Sequence, residues 1–130
     1  MTTQKLEMYK CKICGNTVQV LFSGEGSLVC CNQEMELMRP HGNENPELSE
    51  KHVPQIKRED NKIKIFLENH PMLSEHYIQL IEAYTEDKSQ VYLKFLNPNE
   101  TPVLEIPDTE KPVNAIELCN IHGLWRSDNA

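Results

Sequence analysis

Cys11, Cys14, Cys30 and Cys31 occupy the first third of the chain, and His52, His70, His76, Cys119 and His122 are spread over the rest. The pair Cys11-x-x-Cys14 brings two thiolates from one tight turn onto the same ion, and Cys30-Cys31 supplies two more. Four sulfurs at about 2.3 Å from the metal suit zinc or iron equally well. The second set is different in kind. Four imidazoles and one thiolate are too many ligands for a structural zinc site, which closes at four. They suit a ferrous ion in square-pyramidal coordination, with the position opposite the sulfur open to a small molecule. His41, the fifth histidine, lies in a Gly/Asn-rich stretch and reads as a solvated loop residue.

Each group also has a plainer reading. The four cysteines alone would make a structural zinc knuckle, and a single histidine at any of these positions is ordinarily a packed or surface residue. Convergence is the argument against coincidence: four histidines and the one cysteine beyond residue 31 all fall at strand ends or turns, where a site can be built without filling the core. Adjacent Cys30 and Cys31 cannot both approach a tetrahedral ion without strain in the peptide between them, so a distorted first site is expected, and with it a redox role for iron there.

The elements that must carry these ligands are short and β-like. Residues 7–39 read as a hairpin-built knuckle with a strand at 17–22 and a Ser-Gly-Glu-Gly-Ser turn before the paired cysteines. A unit of this size buries too little apolar surface to fold unaided, so bound metal must supply much of its stability. Residues 40–49, rich in Gly, Pro and Asn, read as a linker. Beyond them strands are expected at 52–57, 62–67, 76–85, 91–96, 103–106, 115–119 and 122–126, which means a sandwich or barrel. The expected domains are therefore 1–39, a linker at 40–49, and 50–130.

Composition excludes several classes. The chain has 130 residues, 38% of them hydrophobic, and no apolar run approaches the roughly 18 residues of a membrane span. No secretory signal is recognisable at the start, so a cytoplasmic location is expected, and with it reduced thiols rather than a disulfide framework. The net charge of -7 disfavours nucleic acid as a partner. An anionic substrate would need local positive charge strong enough to invert that field.

The segments Tyr9-Lys10-Cys11-Lys12-Ile13-Cys14-Gly15-Asn16, Leu28-Val29-Cys30-Cys31, Glu50-Lys51-His52-Val53-Pro54, His70-Pro71-Met72 through His76, and Cys119-Asn120-Ile121-His122-Gly123-Leu124-Trp125 resemble the desulfoferrodoxins, the two-iron superoxide reductases. The resemblance spans nearly the whole chain. It implies a mainly β protein, a small desulforedoxin-like metal knuckle followed by an immunoglobulin-like β-sandwich. It also implies two irons per chain. One is an Fe(Cys)4 centre on Cys11, Cys14, Cys30 and Cys31; the other is an Fe(His)4Cys centre with His52, His70, His76 and His122 in the plane and Cys119 on the axis. The implied activity is the one-electron reduction of superoxide to hydrogen peroxide, a detoxification, with a rubredoxin-like electron donor and a homodimeric assembly.

Within that frame Lys51, beside His52, is the candidate for the local positive charge that steers the anion. Glu50 is the candidate sixth ligand of the ferric resting state. Trp125 and Tyr92 read as packing residues, and Pro71 and Met72 as shaping the loop that carries His70. The alternative function is a non-catalytic electron-transfer or zinc-stabilised binding module, which bound metal would distinguish.

Overall fold

Short alternating segments separated by turn residues produce twelve strands and one helix among the described residues of the computed structural model, which are 2–42 and 46–127, with the side chains of Pro46 and Glu50 outside that set. The chain divides into two compact units, Met1–Arg39 and Pro40–Ala130.

In the first unit, β1 (Met8–Lys10) lies between β2 (Thr17–Gln19) and β5 (Glu36–Met38), antiparallel to both. The strand expected at 17–22 ends regularly at Gln19, because its partner chain breaks at Leu6, whose φ of 73° leaves the β region. A second hairpin pairs β3 (Val29–Cys30) with β4 (Gln33–Glu34). Its two-residue loop is Cys31-Asn32, with φ of 54° and 61°. Two successive positive values mark the primed turn that matches strand twist, here built from residues other than glycine. The adjacent cysteines are thus separated by a change of backbone hand, and Cys31 occupies a strained position. Met8, Tyr9 and Cys11 are buried, while Phe22 is 88% and Leu21 65% exposed.

The second unit holds α1 (Pro46–His52), β6 (Gln55–Glu59), β7 (Lys62–Phe66), β8 (Ile78–Thr85), β9 (Val91–Phe95), β10 (Val103–Pro107), β11 (Val113–Cys119) and β12 (Gly123–Arg126). Its sheets run β10-β7-β6 and β12-β11-β8-β9, antiparallel throughout. Ile63 and Ile65 from one sheet and Ile78, Ile81, Ala83, Val113 and Ala115 from the other meet in a common core, an immunoglobulin-like β-sandwich. Asp60 and Asn61, with φ of 53° and 62°, close the β6–β7 hairpin in the same primed geometry as Cys31-Asn32.

Helix α1 takes up part of the stretch that reads as linker and the first residue of the strand expected at 52–57. Pro46 stands at its first position, Glu47 in its first turn, and Lys51 and His52 in its last, which matches the helix dipole. Pro54 turns Val53 away from helical geometry, so the strand begins at Gln55. His41 also differs from a simple solvated loop residue. Its ring is exposed, yet its backbone forms a parallel bridge with Trp125 through bonds of 2.9 Å to Leu124 O and 2.8 Å from Arg126 N.

Candidate metal centres

The first candidate centre is made by two turns. Cys11 directly follows β1, and the turn is closed by bonds from Gly15 N to Cys11 O and from Cys11 N to Asn16 O. Cys14 follows on that turn, Cys30 ends β3, and Cys31 opens the primed loop. Their four sulfurs lie within 4.8 Å of one another, with Cys14–Cys30 at 3.5 Å and Cys30–Cys31 at 3.9 Å. Thiolates on a tetrahedron of 2.3 Å radius would be about 3.8 Å apart. The backbone N–H groups of Cys14 and Ile13 pull the Cys11 thiol down to about 6. Hydrogen bonds with Cys14, Cys11 and Cys30 push Cys31 up to about 12. The group therefore loses its first proton readily and holds the later ones, until a cation displaces them. Asn16 adds two donors, its backbone N–H to Cys14 Sγ and its side chain to Cys30 Sγ, at 3.4 and 3.7 Å.

The second candidate centre gathers the ends of three segments. His52 is the last residue of α1, His70 and His76 bracket the loop before β8, and Cys119 and His122 flank the turn from β11 to β12. Ring centroids follow the cycle His52–His70–His76–His122 at 4.6, 4.9, 5.1 and 4.8 Å, closing back on His52, with a His52–His76 diagonal of 6.4 Å. Four imidazoles thus stand at the corners of a near-square. Neighbouring rings are tilted by 66–73° to one another, as in a propeller. His52 Nε2 and His122 Nδ1 approach to 3.1 Å, and imidazole nitrogens at right angles on one ion would lie roughly 3 Å apart. Cys119 Sγ is within 4.8 Å of the facing nitrogens of His52, His70 and His76 and 4.0 Å from His122 Nδ1. The donor atoms of His52, His70, His76 and Cys119 thus form one close group, with His122 beside it against His52 and Cys119.

The electrostatics suit a cation. Burial, then the neighbouring histidines, push His52 down to about 3, and burial also lowers His70 and His76. These three imidazoles are neutral at physiological pH and have lone pairs to offer. His70 Nε2 and His76 Nε2 are buried without a hydrogen-bond partner, an arrangement that is costly unless something electron-poor sits against them. His70 donates Nδ1–H to Pro71 O at 2.7 Å, which fixes the tautomer that leaves Nε2 free. Burial raises the Cys119 thiol, while the amides of His122 and Ile121 favour its thiolate. The donors present therefore fit a metal at both groups.

Lys51 is exposed, and its charge is one of the influences, after burial and the neighbouring histidines, that depress His52. The side chain of Glu50 lies outside the described residues. Tyr92 packs against the sandwich core, as a packing residue should. Trp125 packs too, but against the site: its ring stacks on His52 at 4.7 Å and 14°, and its indole N–H donates to His122 O at 3.0 Å. Glu117 was not legible as a site residue. It is fully buried, is pushed up to about 9 by that burial, and lies 3.3 Å from His52 Nδ1. The one available signal was a carboxylate at an inward position of an apolar strand, two residues before Cys119. Among the described residues no helix is long and apolar enough to cross a membrane.

Comparison with known proteins agrees with this geometry. Residues 3–38 match the desulfoferrodoxin N-terminal domain family and residues 44–128 the desulfoferrodoxin family. A desulfoferrodoxin from Desulfarculus baarsii is 44% identical over 128 residues, which cover 97% of this chain and 98% of that one. The crystal structure of the superoxide reductase from Treponema pallidum superposes with a TM-score of 0.68 at 23% identity, covering 95% of this chain and 98% of that chain, a likeness of fold. A superoxide reductase (1Fe-SOR) from Giardia intestinalis gives a TM-score of 0.51 at 29% identity, with 59% of this chain and 94% of that chain covered. Desulfoferrodoxins hold two irons, one Fe(Cys)4 and one Fe(His)4Cys; the four-cysteine group matches the first, and the group of His52, His70, His76 and Cys119, with His122 beside it, is consistent with the second. The chain belongs to the desulfoferrodoxin family.

Proposed function

We propose that this chain is a superoxide reductase, reducing superoxide to hydrogen peroxide by one electron and two protons. In this reading His52, His70, His76, His122 and Cys119 hold the catalytic iron, and Cys11, Cys14, Cys30 and Cys31 hold the second. The observation that carries it is the near-square of four imidazoles with Cys119 Sγ in reach of every corner. An iron held by these five residues would supply the electron and a Lewis-acidic position for a small anion.

The chain's own residues set the conditions for that chemistry. His52, His70 and His76, kept neutral by burial, leave the thiolate as the anionic donor beside them. His70 and Pro71 O, and His52 and Glu117, fix which ring nitrogens face inward. Lys51 provides positive charge beside His52 on a chain of net charge -7, enough to draw an anion towards the site. Glu50, two residues before His52, is assigned as the carboxylate that closes the oxidised centre. Electrons come from a rubredoxin-like donor, and the chain works as a homodimer, for which exposed Leu21 and Phe22 offer apolar surface to bury.

The test is anaerobic rapid mixing of the iron-loaded, reduced chain with superoxide. One peroxide formed per superoxide consumed, with no oxygen released, is the expected result. Oxygen evolution would make the protein a dismutase. A colourless, zinc-loaded native chain that leaves superoxide untouched would make it a binding module instead.

A further inference from the structure

We infer that Asn120 is a positioning residue that holds the His76 imidazole in register with Cys119 and His122; this rests on the assignment of those three residues to one iron. The strands β8 and β11 pair regularly from Val113–Thr85 to Leu118–Leu80, and then the register shifts between Leu118 and Cys119. Beyond that bulge a single pair, Cys119–Ile78, remains, and the ladder stops short of His76 and His122. Asn120 takes over at this point.

Its backbone N–H donates to Tyr77 O at 3.2 Å. Its side-chain Oδ1 accepts from Tyr77 N at 2.9 Å, and its Nδ2 donates to Glu75 O at 3.1 Å. These three bonds grip the main chain on both sides of His76. The other described backbone bonds of His76 are reciprocal ones with Leu73, at 2.9 and 3.0 Å, which shape the loop but tie it to nothing outside itself. Asn120 thus adds a side-chain link, next to the Cys119–Ile78 ladder pair, between the segment presenting His76 and the turn presenting the sulfur.

The residue type follows from the task. One short side chain must accept from an N–H and donate to a carbonyl at the same time, which an amide does and a carboxylate, a hydrocarbon or a cation does not. Both side-chain bonds are solvent-exposed, so each contributes little to overall stability. Their effect is geometric, and a metal ligand held a fraction of an ångström out of place binds less well.

The experiment compares the full-length wild-type chain with Asn120→Ala and Asn120→Leu. Leucine keeps the side-chain bulk and removes both hydrogen bonds. Iron release from the His/Cys centre to a chelator should speed up by about 10- to 100-fold in both variants, in line with the loss on removing ligand-orienting partners. The thiolate-to-iron absorption band of the oxidised centre should move. In the metal-free chain, thermal unfolding followed by the single tryptophan, Trp125, should stay close to wild type. Wild-type release and an unmoved band in both variants would overturn the inference, as would wild-type behaviour of Asn120→Leu alone. So would iron loss that merely tracks unfolding of the metal-free protein. If the wild-type chain itself shows no such band on oxidation, the functional assignment fails instead, and the two failures are distinguishable.

Discussion

His52 and Glu117 face each other across 3.3 Å with almost no access to solvent, joining the end of α1 to the middle of β11. The contact has the geometry of an ion pair, yet burial holds Glu117 protonated up to about 9 and His52 neutral down to about 3, so in the metal-free chain it is a hydrogen bond between neutral groups. A cation on His52 Nε2 would leave the ring proton on Nδ1, where it donates to Glu117 Oε2. The same cation makes that proton more acidic and strengthens the bond. Glu117→Ala should therefore lower iron affinity at this centre by about 10- to 100-fold, and Glu117→Gln, which keeps an acceptor, by less. Competition with a chelator measures both, and equal affinities in all three proteins would remove Glu117 from the support of the site.

The same pair sets a pH profile for the metal-free chain. An unfolded histidine takes up a proton near 6.5, which folded His52 refuses until about 3, so stability is full above 6.5 and falls as pH drops through that window. His70 and His76, also lowered, add to this acid limb. Glu117 works in the opposite sense. Its folded form keeps a proton up to about 9 that the unfolded chain loses near 4.5, so its contribution is full below 4.5 and declines as pH rises towards 9. Each limb has a slope of at most about 1.4 kcal/mol per pH unit per proton. Thermal unfolding of the chelated protein, followed by Trp125 fluorescence, should peak near pH 6. Glu117→Gln should flatten the alkaline side alone, and a wild-type curve that keeps rising to pH 9 would contradict this.

Lys51 is the local exception on an acidic chain. It neighbours His52 at the end of α1, is exposed, and its field reaches His52, His70 and His76. Lys51→Ala should slow the second-order reaction with superoxide roughly 10-fold at low ionic strength. The difference should shrink as salt rises, since the screening length is about 10 Å at 0.1 M. Rapid-mixing rates over a range of ionic strength decide the matter, and identical rates would show that the lysine takes no part in steering.

The donors of both centres were legible in the sequence because few residue types bind metals and their spacing places them at turns. The strands were legible where alternation was strong, as at Lys62–Phe66 and Val91–Phe95. What escaped depends on tertiary context. Helix α1 is only seven residues long, too short for a hydrophobic period to show, and its first residues read as linker. Glu117 looks like any strand carboxylate until Trp125 and Ile81 are found across from it in the sheet. Asn120 reads as a turn former, and only the register shift beside it reveals what it grips. The strain expected from adjacent cysteines was legible, though the left-handed geometry of Cys31 and Asn32 that expresses it was not.

The first unit should depend on its metal far more than the second. Its buried side chains are few, chiefly Met8, Tyr9 and Cys11, against Phe22, Leu21, Val29 and Ile13 that are more than half exposed. A piece of fewer than about 40 residues with so small an interior does not cover its conformational entropy. Cys31 adds a left-handed position, which costs about 1–2 kcal/mol for a residue that is neither glycine nor asparagine. Four thiolates on one ion offset these terms, and binding energy at such a site is folding energy. Removing the metal, or changing Cys14→Ser, should therefore abolish amide protection in Met8–Lys10 and its partner Glu36–Met38, while Ile78–Thr85 and Val113–Cys119 stay protected by the Ile-rich sandwich core. Hydrogen exchange resolves the two units separately. Protection of Met8–Lys10 that survives chelation would mean that this hairpin knuckle folds on its own contacts.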